Sequence, residues 1–246
     1  MKYKNYIFDL YGTLADIATD ENSPMLWEKM SAVYSMNGAA YTPDEFRDAY
    51  GRLVSVEIEK TYEALPKNMR PEVTSLAEPE LLNVFKNLFE EKGITKNLDE
   101  LKQIAIFFRA TSLQKELKLF DGVEETLKSL KENGKKVYLL SNAQSCFTVP
   151  EFNSLGIGKY FDDTIISSNV HVKKPSKQIF ECLIKKHNLK ISECVMTGND
   201  INADIAGAES VGMNSYYIHT WQSGMHPKSF PEHCREIFSI PELLQY

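Results

Sequence analysis

The sequence predicts an α/β fold: a parallel sheet flanked by helices, interrupted after its first strand by a long α-helical insertion. Three observations predict it. From Phe120 onward, short apolar runs alternate with amphipathic helical stretches, the pattern of parallel strands joined by crossover helices. Across residues 16–117 the apolar periodicity is helical instead. Chemistry-bearing side chains recur just after the apolar runs, at the strand ends where open α/β sheets gather their functional groups.

The first strand covers roughly residues 4–9 and ends on Asp9, with Gly12 and Thr13 close behind. The insertion opens with a short stripe of Trp27, Met30 and Tyr34. Thr42-Pro43-Asp44-Glu45 reads as a capping box with proline at the first helical position, and Phe46, Tyr50, Leu53, Val54 and Ile58 follow at helical spacing. Leu81, Val84, Phe85, Leu88 and Phe89 make another stripe, closed by Gly93; Leu101, Ile104, Ala105 and Phe108 make one more. These stripes read as core faces. A helix over 123–133 stops at Asn133-Gly134. Next come a strand over 136–141, a short strand near 164–167, a helix near 176–187, a strand over 194–198, a helix near 202–210 and a strand over 215–218. Thr220–His233, with Pro227 and Pro231, reads as an irregular surface loop. The division expected is a core of residues 1–15 and 118–246 around an insertion of residues 16–117.

Composition narrows the function classes. The 246 residues are 43% hydrophobic and 25% charged, enough for a sizeable buried core. A net charge of −6 argues against a nucleic-acid backbone as partner, and a small-molecule substrate is expected instead. Cys146, Cys182, Cys194 and Cys234 show neither metal-ligand spacing nor a CxxC pair, which fits reduced thiols and a cytoplasmic setting. No secretory h-region and no 18-residue apolar window is present, so no membrane partner is expected. No oligomeric state is assigned.

Four clusters follow four predicted strands: Asp9; Ser141-Asn142; Lys173-Lys174-Pro175; and Gly198-Asn199-Asp200-Ile201-Asn202-Ala203-Asp204. Taken singly each has an ordinary explanation, such as a turn former, a helix N-cap or a solvated lysine. Together, in a parallel sheet, they fall on one edge. A carboxylate in such a place can act as a nucleophile. Asp9, Asp200 and Asp204 bring three carboxylates to one ammonium, Lys174, and crowding them without a counter-ion is costly. A hard divalent cation, most simply Mg²⁺, is the expected solution.

The runs FDLYGTL, LLSNA, VKKPSKQIF and TGNDINADIAGAESVG, in that order, resemble the four motifs of the haloacid dehalogenase-like hydrolase superfamily. The resemblance implies a Rossmann-like core with parallel sheet and an inserted α-helical cap. It implies Asp9 as nucleophile, with Thr13 near it, and Ser141 and Asn142 orienting the substrate's anionic group. It further implies Lys174 as the neutralising cation, and Mg²⁺ held by Asp9, the Tyr11 backbone carbonyl and Asp200, with Asp204 in support.

Position 11 departs from the phosphatases of that superfamily, which carry a second aspartate there as general acid and base. A phenol titrates near pH 10, too high for ready proton shuttling at pH 7. The metal-free 2-haloacid dehalogenases resemble this chain at Tyr11 but lack an acidic pair like Asp200 and Asp204. They also need a cap arginine, for which Arg47 and Arg52 are the candidates in the insertion. The reading favoured is a Mg²⁺-dependent phosphatase of a small phosphorylated metabolite. The alternatives are a dehalogenase-type hydrolase and a catalytically weak binding or regulatory protein.

Overall fold

Strands that are buried on both faces read as continuous apolar runs, and here such runs assemble one parallel sheet. The computed structural model describes residues 1–246. Its first part holds β1 (Asn5–Phe8), β2 (Ala15–Thr19), α1 (Pro24–Met36), α2 (Pro43–Ala64), α3 (Leu81–Glu90), α4 (Leu98–Ser112) and β3 (Leu113–Leu119). Then come α5 (Val123–Glu132), β4 (Lys136–Ser141), α6 (Ser145–Ser154), β5 (Asp163–Ile166), α7 (Ser167–Val170) and α8 (Lys177–His187). The chain closes with β6 (Cys194–Gly198), a π-helical turn (Ile201–Ile205), α9 (Ala206–Ser210), β7 (Asn214–Ile218) and β8 (Cys234–Ile237).

The sheet order is β5-β4-β1-β6-β7-β8, and every neighbouring pair is parallel. Alternate residues of each strand therefore feed two separate cores. Tyr6, Phe8, Val137, Leu139 and Val195 pack with Val123, Leu127 and Leu130 of α5 on one face. Ile7, Tyr138, Leu140 and Met196 pack with Ile179, Phe180 and Leu183 of α8 on the other. Because β1, β4, β5 and β6 run the same way, their carboxyl ends share one edge.

The helical insertion has its own core of aromatic residues. The Phe108 ring lies 5.4 Å from Tyr50, 5.4 Å from Phe85 and 6.1 Å from Phe147. Phe147 belongs to α6, so that last stack joins the insertion to the sheet domain. The predicted capping box forms: Glu45 N–H donates to Thr42 Oγ1 (3.3 Å), and Thr42 N–H donates to the Glu45 carboxylate (2.9 Å). No helix is long and apolar enough to cross a membrane. All four cysteines are free thiols.

Four features differ from the sequence expectation. The ends of the insertion are not helical: β2 and β3 pair as an antiparallel ribbon, with register shifts between Asp16 and Thr19. Leu113-Gln-Lys-Glu-Leu-Lys-Leu is largely exposed and lacks a buried alternate face, so no window signals a strand; only its distant partner does. The predicted helix near 202–210 begins as a π turn, within which Asp204 is buried. A sixth strand, β8, follows the surface loop and pairs with β7. That loop is also less detached than expected. Thr220 Oγ1 donates to Gly12 O (2.8 Å), and Trp221 Nε1 donates to Asp16 Oδ1 (2.8 Å).

Candidate active site

β1 delivers Asp9 one residue past its last core position. Asp9 N–H still donates to Thr197 O (3.0 Å), which fixes the backbone, while the residue as a whole is only 7% exposed. The chain then turns sharply: Leu14 N–H and Ala15 N–H both donate to Leu10 O (2.8 Å each). Gly12 sits at φ +79°, and a Cβ there would collide with the Asn199 side-chain amide, so the position demands glycine. The turn leaves Thr13 Oγ1 3.4 Å from Asp9 Oδ2 and 3.1 Å from Asn199 Oδ1.

Lys174 arrives from the loop after α7 and is buried. Its three ammonium hydrogens are all engaged, with Asp9 Oδ1 (2.7 Å), Asp204 Oδ1 (2.6 Å) and Leu140 O (2.7 Å). Asn142, just past β4, clamps the Lys174 backbone. Lys174 N–H donates to Asn142 Oδ1 (2.7 Å), and Asn142 Nδ2 donates to Lys174 O (3.0 Å). Asp204 Oδ2 accepts from Asp200 N–H (3.0 Å). Gly198 makes room for that carboxylate, because a Cβ there would overlap Asp204. Asp200 itself is exposed; its Oδ1 accepts from Asn202 N–H (2.8 Å) and Ala203 N–H (3.1 Å), capping the turn that follows. Ser141 Oγ is fully buried without a hydrogen-bond partner.

A cavity of about 220 Å³ opens over these groups, walled by Asp9, Tyr11, Asn142, Lys174, Asn199, Asp200, Asp204 and two neighbours. The predicted strand-end clusters therefore do meet. Thr13 and Ser141, both fully buried, stand behind the cavity wall. The electrostatics differ from the expectation in one respect. No three His, Cys, Asp or Glu side chains converge on a single metal position. Asp204 is taken up by Lys174 and a backbone amide, so the ammonium is the counter-ion of Asp9 and Asp204. Burial pushes the Asp204 carboxyl up, against the pull of Lys174. Burial alone would lower the Lys174 ammonium, but Asp204 and Asp9 reverse that and raise it.

Asp9 and Asp200, which line the same cavity, are the carboxylates outside Asp204's own ion pair that a cation could use. Hard oxygen donors with a surplus of negative charge fit Mg²⁺, which keeps several waters and takes few protein ligands.

Tyr11 lines the cavity, but its hydroxyl is bonded elsewhere. It donates to the Glu151 carboxylate of α6 and lies 3.1 Å from Thr148 Oγ1. Arg109, in the last turn of α4, binds the same Glu151 with Nε (2.6 Å) and Nη2 (3.1 Å), its guanidinium 5.2 Å from the centre of the Tyr11 ring. Burial first, then the Glu151 charge, pushes the Tyr11 phenol well above its ordinary range. Tyr11→Phe is therefore expected to change turnover by less than about tenfold, well short of the loss that follows removal of a proton shuttle. It is expected to lower unfolding free energy by about 1–2 kcal/mol, because Glu151 loses a buried donor. Steady-state kinetics with urea unfolding checks both.

Arg47 and Arg52 do not reach the cavity. Arg47 is half exposed beside Asp44 and Asp48, and Arg52 pairs with Glu91 at 2.7 Å. Arg109 is the arginine of the insertion that reaches Tyr11, and sequence reasoning missed it together with Glu151 and Thr148. Nothing local marks them: Arg109 looks like an ordinary polar position of an amphipathic helix, and Thr148 and Glu151 lie in a stretch, with Pro150 inside it, where the sequence shows no helical pattern.

Comparison with known proteins follows the same lines. A family model described as haloacid dehalogenase-like hydrolase matches residues 3–212. A ribulose-1,5-bisphosphate 5-phosphatase of Halopiger xanaduensis is 31% identical over 100 residues, 41% of this chain and 42% of that protein, so the match spans under half of that relative's length. A phosphoglycolate phosphatase of Vibrio parahaemolyticus is 29% identical over 209 residues, 85% of this chain and 80% of that one. The crystal structure of a 2-haloacid dehalogenase from Pseudomonas syringae superposes with a TM-score of 0.60 at 18% identity, covering 99% of this chain and 97% of that one; the likeness is one of fold.

Proposed function

This chain belongs to the haloacid dehalogenase-like hydrolases, and from that membership we propose that it is a cytoplasmic, Mg²⁺-dependent phosphatase of a small phosphorylated metabolite. The reading assigns residues 1–15 and 118–246 to the catalytic core and residues 16–117 to the cap that selects the substrate. One observation carries it. Asp9 is held by a buried, fully engaged Lys174 at the mouth of a cavity that also presents Asp200.

In this mechanism Asp9 attacks phosphorus in line, forming an aspartyl phosphate as the P–O bond to the leaving group breaks and the leaving group departs as its anion. Lys174 keeps its charge beside the nucleophile and offsets charge on the phosphoryl oxygens. The Ser141 hydroxyl, which no protein group satisfies, is sealed behind the cavity wall and would donate to one of those oxygens only once the cavity opens to it. Mg²⁺, held by Asp9, the Tyr11 carbonyl and Asp200 with Asp204 in support, would neutralise phosphoryl charge. Tyr11, with its proton committed to Glu151, does not protonate the leaving group. The preferred substrates are then acyl or aryl phosphates, whose leaving groups need little protonation, and breakdown of the aspartyl phosphate is slow.

The dehalogenase reading finds less support. A 2-haloacid needs a guanidinium free to hold its carboxylate, and Arg109 is already neutralised by Glu151.

The test is a panel of phosphate esters, p-nitrophenyl phosphate, acetyl phosphate, phosphoglycolate and ribulose 1,5-bisphosphate among them, assayed beside 2-chloropropionate. Phosphate release that needs Mg²⁺ and falls at least about 100-fold with chelator is expected. Chelator-insensitive halide release, with no phosphate released from any ester, would replace this reading by the dehalogenase one.

A further inference from the structure

The insertion does not touch the sheet domain through its ribbon alone. Between α2 and α3 the segment around residues 74–80 lies against the two loops that carry the site. Glu78 N–H donates to His171 O (2.9 Å), and Lys173 N–H donates to Leu76 O (2.9 Å). Ala77 and Val172 bridge as an antiparallel pair between them. The rung ends one residue before Lys174.

The Glu78 side chain completes the tie. It is 8% exposed, and no Lys or Arg pairs with it. Its Oε2 accepts from Ser167 Oγ (2.7 Å) and its Oε1 from Gln144 Nε2 (2.8 Å). Ser167 Oγ in turn accepts from Ala143 N–H (2.8 Å), the residue next to Asn142. Gln144 cannot turn round, because its amide also donates to Pro79 O (2.8 Å) and accepts from Leu81 N–H (3.0 Å). Burial pushes the Glu78 carboxyl up, with Ser167 pulling the other way. For stability alone an apolar side chain would serve as well or better in such a place. A carboxylate spanning two fixed donors instead sets the distance between them.

We propose that Glu78 is a positioning residue for the reaction, holding the loop after β4 and the loop before Lys174 in the register that the Asn142–Lys174 clamp requires. The proposal rests on the phosphatase reading for its kinetic consequence but not for its geometry. Glu78 touches no substrate. It acts through Ser167 and Ala143 on Asn142, and through the backbone rung on Lys174. Part of the inserted domain is thereby a fixed wall of the catalytic scaffold.

The experiment compares wild type with Glu78→Ala, Glu78→Gln and Ser167→Ala, using p-nitrophenyl phosphate kinetics and amide hydrogen exchange. Glu78→Ala is expected to lower kcat about 10- to 100-fold with KM within a few-fold of wild type, because groups that act in the transition state drift while binding persists. Glu78→Gln is expected to recover kcat to within about threefold. Its Oε1 can keep the Gln144 bond while its amide donates to Ser167 Oγ, whose own hydrogen turns to Ala143 O, already 3.1 Å away. The amides of Ala143 and Lys174 should exchange faster in the Ala variant, with strand amides of β1 unchanged. If Glu78→Ala does not fold, Ser167→Ala cuts the same link and carries the same kcat loss. Wild-type kcat in a folded Glu78→Ala or Ser167→Ala, or no rescue by Gln, overturns the proposal. Should wild type release no phosphate from any ester, the phosphatase reading fails instead. The exchange rates at Ala143 and Lys174 then decide the positioning role by themselves.

Discussion

Asp9→Asn is expected to abolish phosphate release, on the order of 10⁴-fold or more, without unfolding the protein. An amide keeps the size and the hydrogen-bonding reach of the side chain but removes the lone-pair charge that attacks phosphorus. The backbone at Asp9 is fixed by its bond to Thr197 O, not by the carboxylate, so β1 should keep its register. One donor of Lys174 loses an anionic partner but keeps Asp204 and Leu140 O. Two measurements separate chemistry from folding. Thermal unfolding should stay within a few degrees of wild type, and acetyl phosphate, the least demanding leaving group, should be as inert to the variant as any alcohol ester. Residual turnover of acetyl phosphate above about one hundredth of wild type would mean that water, not Asp9, attacks phosphorus.

The sheet and the four strand-end clusters were open to sequence reasoning because each depends on local pattern. Val137, Leu139 and Leu140 announce a buried strand by themselves, and Thr42 and Glu45 announce a helix start three residues apart. Asp9, Lys174 and Asp204 were placed together by topology, since parallel strands leave their carboxyl ends on one edge. The sequence overestimated the need for metal at Asp204, because it does not show that the Lys174 ammonium is aimed between two of the three carboxylates.

What was not legible depends on pairing across long separations. β2 and β3 are about a hundred residues apart and become a ribbon only when matched. Tyr11, Arg109 and Glu151 come from the first turn, the insertion and α6, and none stands in a motif with the others. Glu78 looks like one more acid in the run Ala77-Glu78-Pro79-Glu80, of which only Glu78 is sealed between two loops. Helical periodicity reported the cores of the insertion correctly and was silent about the polar residues that fasten those cores to the site.

The second large effect concerns Lys174, where stability and catalysis should fail together but respond differently to pH. Lys174→Met keeps the aliphatic length and removes the ammonium from among Asp9, Asp204 and Leu140 O. Removing one partner of a buried ion pair leaves an uncompensated charge, which costs about 3–5 kcal/mol. Activity should fall by about 10²–10³ as preorganised charge stabilisation is lost. The pH sign follows from Asp204, whose carboxyl burial already pushes up to about 7 with Lys174 opposing. Without the ammonium that push is unopposed, so the folded variant holds a proton that the unfolded chain gives up near the ordinary aspartate value. A group with a raised folded pKa supports the fold while protonated and loses that support as pH climbs through the folded value. Lys174→Met should therefore be most stable in mildly acidic buffer; up to about pH 7 wild type loses stability alongside it, and above that value wild type levels off while the variant goes on weakening, so the gap should widen from about pH 7 upward. Denaturant titrations at several pH values measure it. A gap that narrows with rising pH would show that Asp204 stays ionised in the variant, and that Lys174 is not what keeps its charge tolerable in the folded protein.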